Sequence, residues 1–261
     1  WTPEDVSSLL WLDASDASTI TLNAGKVSNW RDLSGGFANL NNATQTDASR
    51  QPTFSTNTVD FDGTNDVMKI TNDSFYGIQE PAVITVSRRD ASVSWGNPIV
   101  SWRGEGSRGW QLRQYSGTAT SMNYTMRGTA ATDDITAATT MTLGDDFLVS
   151  SYRKDATNRI INFNGSEIQN VSDTGTISYV ANQGYSAIGG KYSSSTAYHN
   201  EYLDGRIYEI LVADQMTTED LQKVEGYMAH KWNLSHNLPA THPYKDIQPT
   251  RYPILTSIFA D

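Results

Sequence analysis

The chain has 261 residues, with 29 acidic side chains against 19 Lys and Arg, a formal charge of −10 and no cysteine. This balance excludes a nucleic-acid surface, which needs a Lys/Arg stripe, and weighs against an anionic membrane surface. The missing cysteines exclude disulfides, thiolate metal sites and Cys nucleophiles. Only 38% of residues are hydrophobic and 18% charged, with Ser, Thr, Asn and Gly filling the gap, which is the composition of a turn-rich β protein rather than a helical bundle. No apolar run reaches the roughly 18 residues of a membrane-spanning helix, and no signal peptide is recognisable. The chain begins at Trp1 rather than Met, so it is expected to be a processed product or a piece of a longer protein.

In chain order, short apolar runs alternate with turn residues. "LLWLDA", "VMKI", "AVITVSR", "IVSWR", "WQLRQY", "MNYTM", "FLVSSYR", "RIINFNG", "SAIGG" and "RIYEILVAD" each read as a strand. Several alternate apolar and polar positions, as half-buried antiparallel strands do. In "IINFNGSEIQNV", Asn164-Gly165 offers the two positive-φ positions of a type I′ hairpin turn. One segment reads as a helix, "TTEDLQKVEGYMAHKW", near 218–232. Thr217 or Thr218 can cap it, Glu219 and Asp220 suit its positive end, and Leu221, Val224, Met228 and Trp232 form a core stripe. Many short strands and one late helix predict an all-β, two-sheet antiparallel sandwich.

The fragments "WTPEDVSSLLWLDASDASTIT", "VSNWRDLSGG", "RQPTF", "VDFDGTND", "INFNGSEI", "AIGG", "LDGRIYEILVADQMTTEDLQKVEGYMAHKWNL" and "LPATHPY" follow one another in an order that is similar to a known group. The chain resembles the concanavalin A-like, laminin-G-like (type 3) jelly-roll domains of bacterial surface and secreted proteins and of phage virion proteins. The resemblance covers residues 1–245 and leaves 246–261 as a C-terminal extension or linker. It implies two curved sheets with a concave face and rim loops that often contact sugars. Fold alone does not give function.

The stretch "VDFDGTND", Val59–Asp66, gathers three carboxylates in eight residues. Strand alternation sends Val59 and Phe61 one way and Asp60 and Asp62 the other, and Asp62-Gly63 reads as an Asx turn. A calcium ligand is the alternative, although the EF-hand spacing is not met because Gly63 comes too early. Glycoside hydrolysis needs two carboxylates across the scissile bond. Glu105, Glu167, Glu201 and Glu209 are isolated, and a strand would turn the adjacent pairs Asp133-Asp134 and Asp145-Asp146 to opposite faces. His230, His236 and His242 recur every six residues, but the prolines after the helix and the lack of acidic or thiol companions read as packing of an exit loop. No metal site is assigned. The calcium-dependent relatives called pentraxins leave a single rim calcium ion open.

Seven Trp and thirteen Tyr are many for this length, and aromatic faces are the usual platform for sugar rings. Trp11, Trp30 and Trp232 sit in the resemblance motifs and read as core. The candidate carbohydrate contacts are Trp95, Trp102, Arg103, Glu105, Arg108, Trp110 and Tyr115, around a Gly-rich turn, and Tyr192 and Tyr198 in the polar loop after "AIGG". The sequence therefore reads as a non-catalytic carbohydrate-recognition or adhesion module, not an enzyme, acting outside the cell on a glycan or cell-surface polysaccharide. The alternative is a virion structural domain (capsid decoration, fibre or tail attachment), with homo-oligomer or parent-protein partners. A polysaccharide hydrolase or lyase stands third.

Overall fold

The computed structural model describes residues 1–35, 41–70, 75–91, 97–104, 109–114, 121–127, 132–139, 141–155, 157–172, 176–177, 179, 184–192 and 198–249. Strands are numbered along the chain. The first seven are β1 (Leu10–Asp13), β2 (Ile20–Asn23), β3 (Lys26–Trp30), β4 (Ala43–Thr44), β5 (Thr53–Ser55), β6 (Thr58–Asp62) and β7 (Met68–Ile70). The middle of the chain gives β8 (Pro81–Arg89), β9 (Asn97–Gly104), β10 (Gly109–Gln114), β11 (Ser121–Arg127), β12 (Thr132–Ala138), β13 (Asp146–Asp155), β14 (Asn158–Phe163) and β15 (Ser166–Ser172). Then come β16 (Gly184–Ile188), β17 (Gly190–Tyr192), β18 (Tyr198–Tyr202) and β19 (Asp204–Asp214), followed by helix α1 (Thr218–Lys231).

All pairings are antiparallel and form the two layers the composition predicts. In one layer β19 carries β6 and β1 on one flank and β8 on the other, continuing through β13 and β14 to β15. The second layer runs from β3 through β4, β7, β16, β9, β10 and β11 to β12. β5 pairs with both β3 and β6, so hydrogen bonding continues around the corner between layers. The ten strand expectations all fall on strands. β12, "TDDITAA", was not expected, because its apolar positions are too few to signal a strand, and β11 supplies the pairing that makes it one.

The central strands of the first layer are apolar on both faces. Val83, Phe147, Val149, Ile161, Ile210 and Val212 meet Val100, Trp102, Trp110, Leu112 and Ile188 of the second layer in one core. Their alternate neighbours Ala82, Ile84, Val86, Leu148, Ile160 and Leu211 meet Leu221, Val224, Met228 and Ala229 of α1 in another. The molecule is thus three layers deep here, which is why "AVI" in β8 and "ILVA" in β19 read as continuous apolar runs rather than alternating ones. Each large aliphatic side chain so buried contributes about 1.5–3 kcal/mol. The helix starts as read: the Thr217 hydroxyl accepts the Asp220 N–H at 3.1 Å. It ends with Asn233 at φ +59, its N–H donating to the His230 carbonyl and the Leu234 N–H to that of Ala229, a Schellman motif.

A buried charge network fastens the helix end to the sheets. Glu209 on β19 is wholly buried. It accepts the Trp11 indole N–H at 2.7 Å and that of Trp232 at 2.6 Å, and lies 3.0 Å from the Lys231 ammonium. Lys231 also donates to Asp13 at 2.6 Å. Burial pushes the Glu209 carboxyl up from its ordinary value, opposed by Lys231 and both indoles. Burial works to lower Lys231, but Glu209 and Asp13 outweigh it and hold the ammonium above its ordinary range. A second cluster anchors the segment after the helix: Glu225 accepts from Ser150 at 2.5 Å and Asn162 at 2.9 Å, and meets His242 Nε2 at 3.3 Å. His242 Nδ1 accepts the Tyr244 N–H, so Nε2 carries the proton that faces Glu225.

"VDFDGTND" is a self-closing turn. Val59 and Phe61 are buried, Asp62 is exposed and Gly63 has φ +69. One Asp62 carboxylate oxygen accepts the N–H groups of Thr64, Asn65 and Asp66 at 2.9, 3.1 and 3.3 Å. Burial works to raise this carboxyl, and the three amides outweigh it, holding it below its ordinary value. Asp66 is 1% exposed. It accepts the Asp62 N–H through one oxygen, while the other has no hydrogen-bond partner. Burial first, and then the Asp62 charge, push it up to about 6. One oxygen of the exposed Asp62 carboxylate is thus committed to the backbone, as the expected Asx turn requires. Among the described residues no three His, Asp or Glu side chains are placed to hold a metal ion.

Two outcomes are expected. Lys231→Met leaves two carboxylates facing each other in the interior and should lower stability by about 3–5 kcal/mol, read by denaturant unfolding; a loss within experimental error contradicts the fastening role. Because the Asp66 pKa is raised, its contribution to stability is complete below about pH 4 and is lost as pH rises through 6. Asp66→Asn should therefore raise the thermal midpoint at pH 7 and leave it nearly unchanged at pH 4, and a pH-independent difference would count against this.

Candidate functional site

Of the expected aromatic cluster, Trp102 and Trp110 are turned inward, at 0% and 1% exposed. Trp102 packs against Tyr179 at 4.6 Å between ring centroids, and Trp110 against Phe75 at 5.5 Å. Neither indole has a face for a ligand, which corrects their assignment as sugar contacts. The physical reason is strand alternation: the largest rings on β9 and β10 fill the space between the sheets, where they remove most area from water. Trp95, Glu105, Arg108 and Tyr115 lie outside the described residues. Arg103, Tyr192 and Tyr198 are placed by backbone only, on β9, β17 and β18.

The same alternation puts Ser101, Gln111, Arg113 and Asn123 on the opposite face of the second layer. Arg113 Nε donates to Asn123 at 3.0 Å, and Asn123 donates to Thr136 at 2.8 Å. Glu201 on β18 pairs with Lys191 on β17 and lies 3.6 Å from Arg113. Ser101 donates to the Gly190 carbonyl at 3.2 Å. These groups hold the β17–β18 ribbon onto the sheet, and their polar capacity is directed at one another.

The open site lies elsewhere, where the helix exit meets the starts of β13 and the β14–β15 turn. A cleft of about 520 Å³ is lined by the buried Met141, Phe147, Phe163 and Leu234, by the half-buried Trp232, and by Asn164, Asn233, His236, Asn237, Asp145 and Asp146. Asn164 and Gly165 have φ +50 and +73, the expected I′ turn. The Asn164 carbonyl oxygen accepts the Leu148 N–H at 3.0 Å, which fixes the amide and leaves its NH₂ uncommitted. Asn233 projects from the left-handed residue that ends the helix. Asn233, His236 and Asn237 are exposed.

Tertiary contacts hold this cleft rigid. The Trp232 indole is fixed by its bond to Glu209, and the Tyr208 ring packs edge-on against it at 5.2 Å. The Tyr208 hydroxyl donates to Asp146 at 2.5 Å. Burial and then that bond hold the phenol well above its ordinary range, so it stays a neutral donor. The expectation that a strand would turn Asp145 and Asp146 to opposite faces does not apply to this pair. Asp145 precedes β13 in a turn, outside strand alternation, and both residues border one cleft. The three histidines do not converge: His230 bonds the Tyr244 carbonyl, His242 is buried against Glu225, and His236 lines the cleft.

The sequence reading missed this site. Its signal was an amide-rich helix exit, "KWNLSHN", combined with the "NG" turn and "GDDF". The helix exit stands more than sixty positions from the other two along the chain.

No protein-family model matches the chain, and a search of the curated proteins finds no match. Among solved structures it is similar to a Trypanosoma rangeli sialidase in complex with sialic acid, at 11% identity and a TM-score of 0.57, over 86% of this chain and 33% of that one. It is similar to a mutant of the NanB sialidase from Streptococcus pneumoniae at 11% identity and a TM-score of 0.51, over 63% of this chain and 26% of that one. A Ruminococcus gnavus sialidase CBM40 bound to sialyllactose matches at 14% identity and a TM-score of 0.46, over 55% of this chain and 80% of that one. The chain spans about a third of the T. rangeli sialidase's length. The likeness shows a shared jelly-roll-like sandwich, while the laminin-G assignment has no family match behind it. The expectation that the chain is not an enzyme is overturned, because the solved structures it resembles include sialidases, which are enzymes.

Proposed function

We propose that this chain recognises carbohydrate through the cleft beside the helix exit, acting on glycans outside the cell. The observation that carries the reading is the cleft's chemistry. The half-buried Trp232 indole can face the C–H surface of a sugar ring, and amides from the helix exit (Asn233, Asn237) and from the β14–β15 turn (Asn164) line the same cleft. Amide and hydroxyl partners suit a ligand rich in O–H groups, and a rigid frame lowers the ordering cost of binding. The shared fold with part of a sialidase solved with sialic acid supports a glycan as the ligand class, as does the resemblance to surface-exposed jelly-roll domains.

A catalytic reading of the same cleft is favoured by one observation: two carboxylates, Asp145 and Asp146, border it together with the imidazole of His236. Glycoside cleavage would use such groups as acid and base. Release of reducing sugar from the bound glycans would support it.

A glycan array followed by titration calorimetry tests recognition. Asn233→Gly keeps the left-handed helix end while removing the amide, and Asn237→Ala removes a second. Each should weaken glycan binding by several-fold to about tenfold with little change in thermal midpoint. No glycan bound at millimolar concentration, or binding indifferent to both variants, would overturn the assignment to this cleft.

A further inference from the structure

The charges around the cleft bear on which sugars can enter it. Resting on the carbohydrate reading above, we propose that the cleft selects uncharged sugar units and rejects those carrying a carboxylate or sulfate. Among the described residues that line it, the acids are Asp145 and Asp146, and there is no Lys or Arg. Asp145 is exposed. Asp146 has one oxygen occupied by the Tyr208 hydroxyl and a second that can accept from a ligand.

The cations nearby are turned to other tasks. Arg88, which faces Asp146 across the β8–β13 pairing, is held by Asp90 at 2.6 and 3.1 Å. Lys231 is held between Asp13 and Glu209. Lys245 donates to the carbonyls of His236 and Leu238 at 2.5 and 2.6 Å, so it braces the loop rather than offering its charge to a ligand. Among the described residues that line the cleft, the one cationic candidate is the imidazole of His236. An acidic sugar would therefore enter a site with two like charges and no bidentate cationic partner, the arrangement that carboxylate recognition relies on. An uncharged sugar meets complementary groups instead. Its hydroxyls can donate to the carboxylates, its oxygens can accept from the Asn164, Asn233 and Asn237 amides, and its C–H face can rest against the half-buried Trp232 indole.

This preference separates the chain from the T. rangeli sialidase whose fold it shares in part, which was solved with sialic acid. The test is a set of matched oligosaccharide pairs, each uncharged member set against its sialylated, uronic or sulfated counterpart. Binding is measured by calorimetry at low and at physiological salt with the whole chain. The uncharged members are expected to bind at least about tenfold more tightly at low salt, the gap narrowing as salt screens the repulsion. Asp145→Asn should narrow the gap at low salt without abolishing binding of the uncharged members. Equal or tighter binding of the acidic members through the cleft, or a gap that Asp145→Asn and salt both leave untouched, would overturn the selectivity while the carbohydrate reading stands. If no member of any pair binds, both fall.

Discussion

The carboxylate of Glu209 sits where three parts of the molecule must agree. It rises from the longest strand of the first sheet, accepts an indole N–H from the N-terminal strand, and takes a second indole N–H and an ammonium from the last turn of the helix. A carboxylate removed from water is costly unless every lone pair is answered. Here Trp11, Trp232 and Lys231 answer it, and they can do so only if helix, sheet and amino terminus are all in register. The network acts as a check on assembly as much as a source of stability.

From that point the rest of the architecture is ordered. With the helix end held, its apolar stripe lies on the outer face of the first sheet, which makes that sheet an interior layer with apolar residues on both sides. The same hold places Trp232, and with it the left-handed Asn233 and the loop that follows, against the β14–β15 turn. The cleft is the space left where these elements meet. Its walls inherit their rigidity from the buried network, through the Glu209–Trp232 bond and the Asp146–Tyr208–Trp232 chain. Stability and recognition are coupled here by shared residues, since Trp232 and Asn164 both brace the frame and border the cleft.

Polar groups in this molecule fall into two kinds. Asp62, Glu225, Glu201 and Arg113 have their hydrogen bonds directed inward, to backbone amides or to one another, and they build turns and dock segments. Asn233, His236, Asn237 and Asp145 face the cleft. The distinction is geometric, and it is what separates a structural acid such as Asp62 from one that can address a ligand.

The sequence by itself determined the strands, the hairpin at Asn164-Gly165, the capped helix after Thr217 and the turn at Asp62-Gly63, because each rests on local periodicity or on backbone preferences within a few residues. It also determined that Trp102 and Trp110 lie in strands, but not which face they take, since a strand with bulky side chains on one face and polar ones on the other reads the same whichever face is covered. Only the tertiary structure decided that the indoles point inward, that β12 completes a sheet, and that Asp145 and Asp146 share a cleft with Asn164 and Asn233. Those residues stand up to about ninety positions apart in the chain. Their meeting depends on strand pairing and on the helix lying over the sheet, and neither leaves a mark in any short window of sequence.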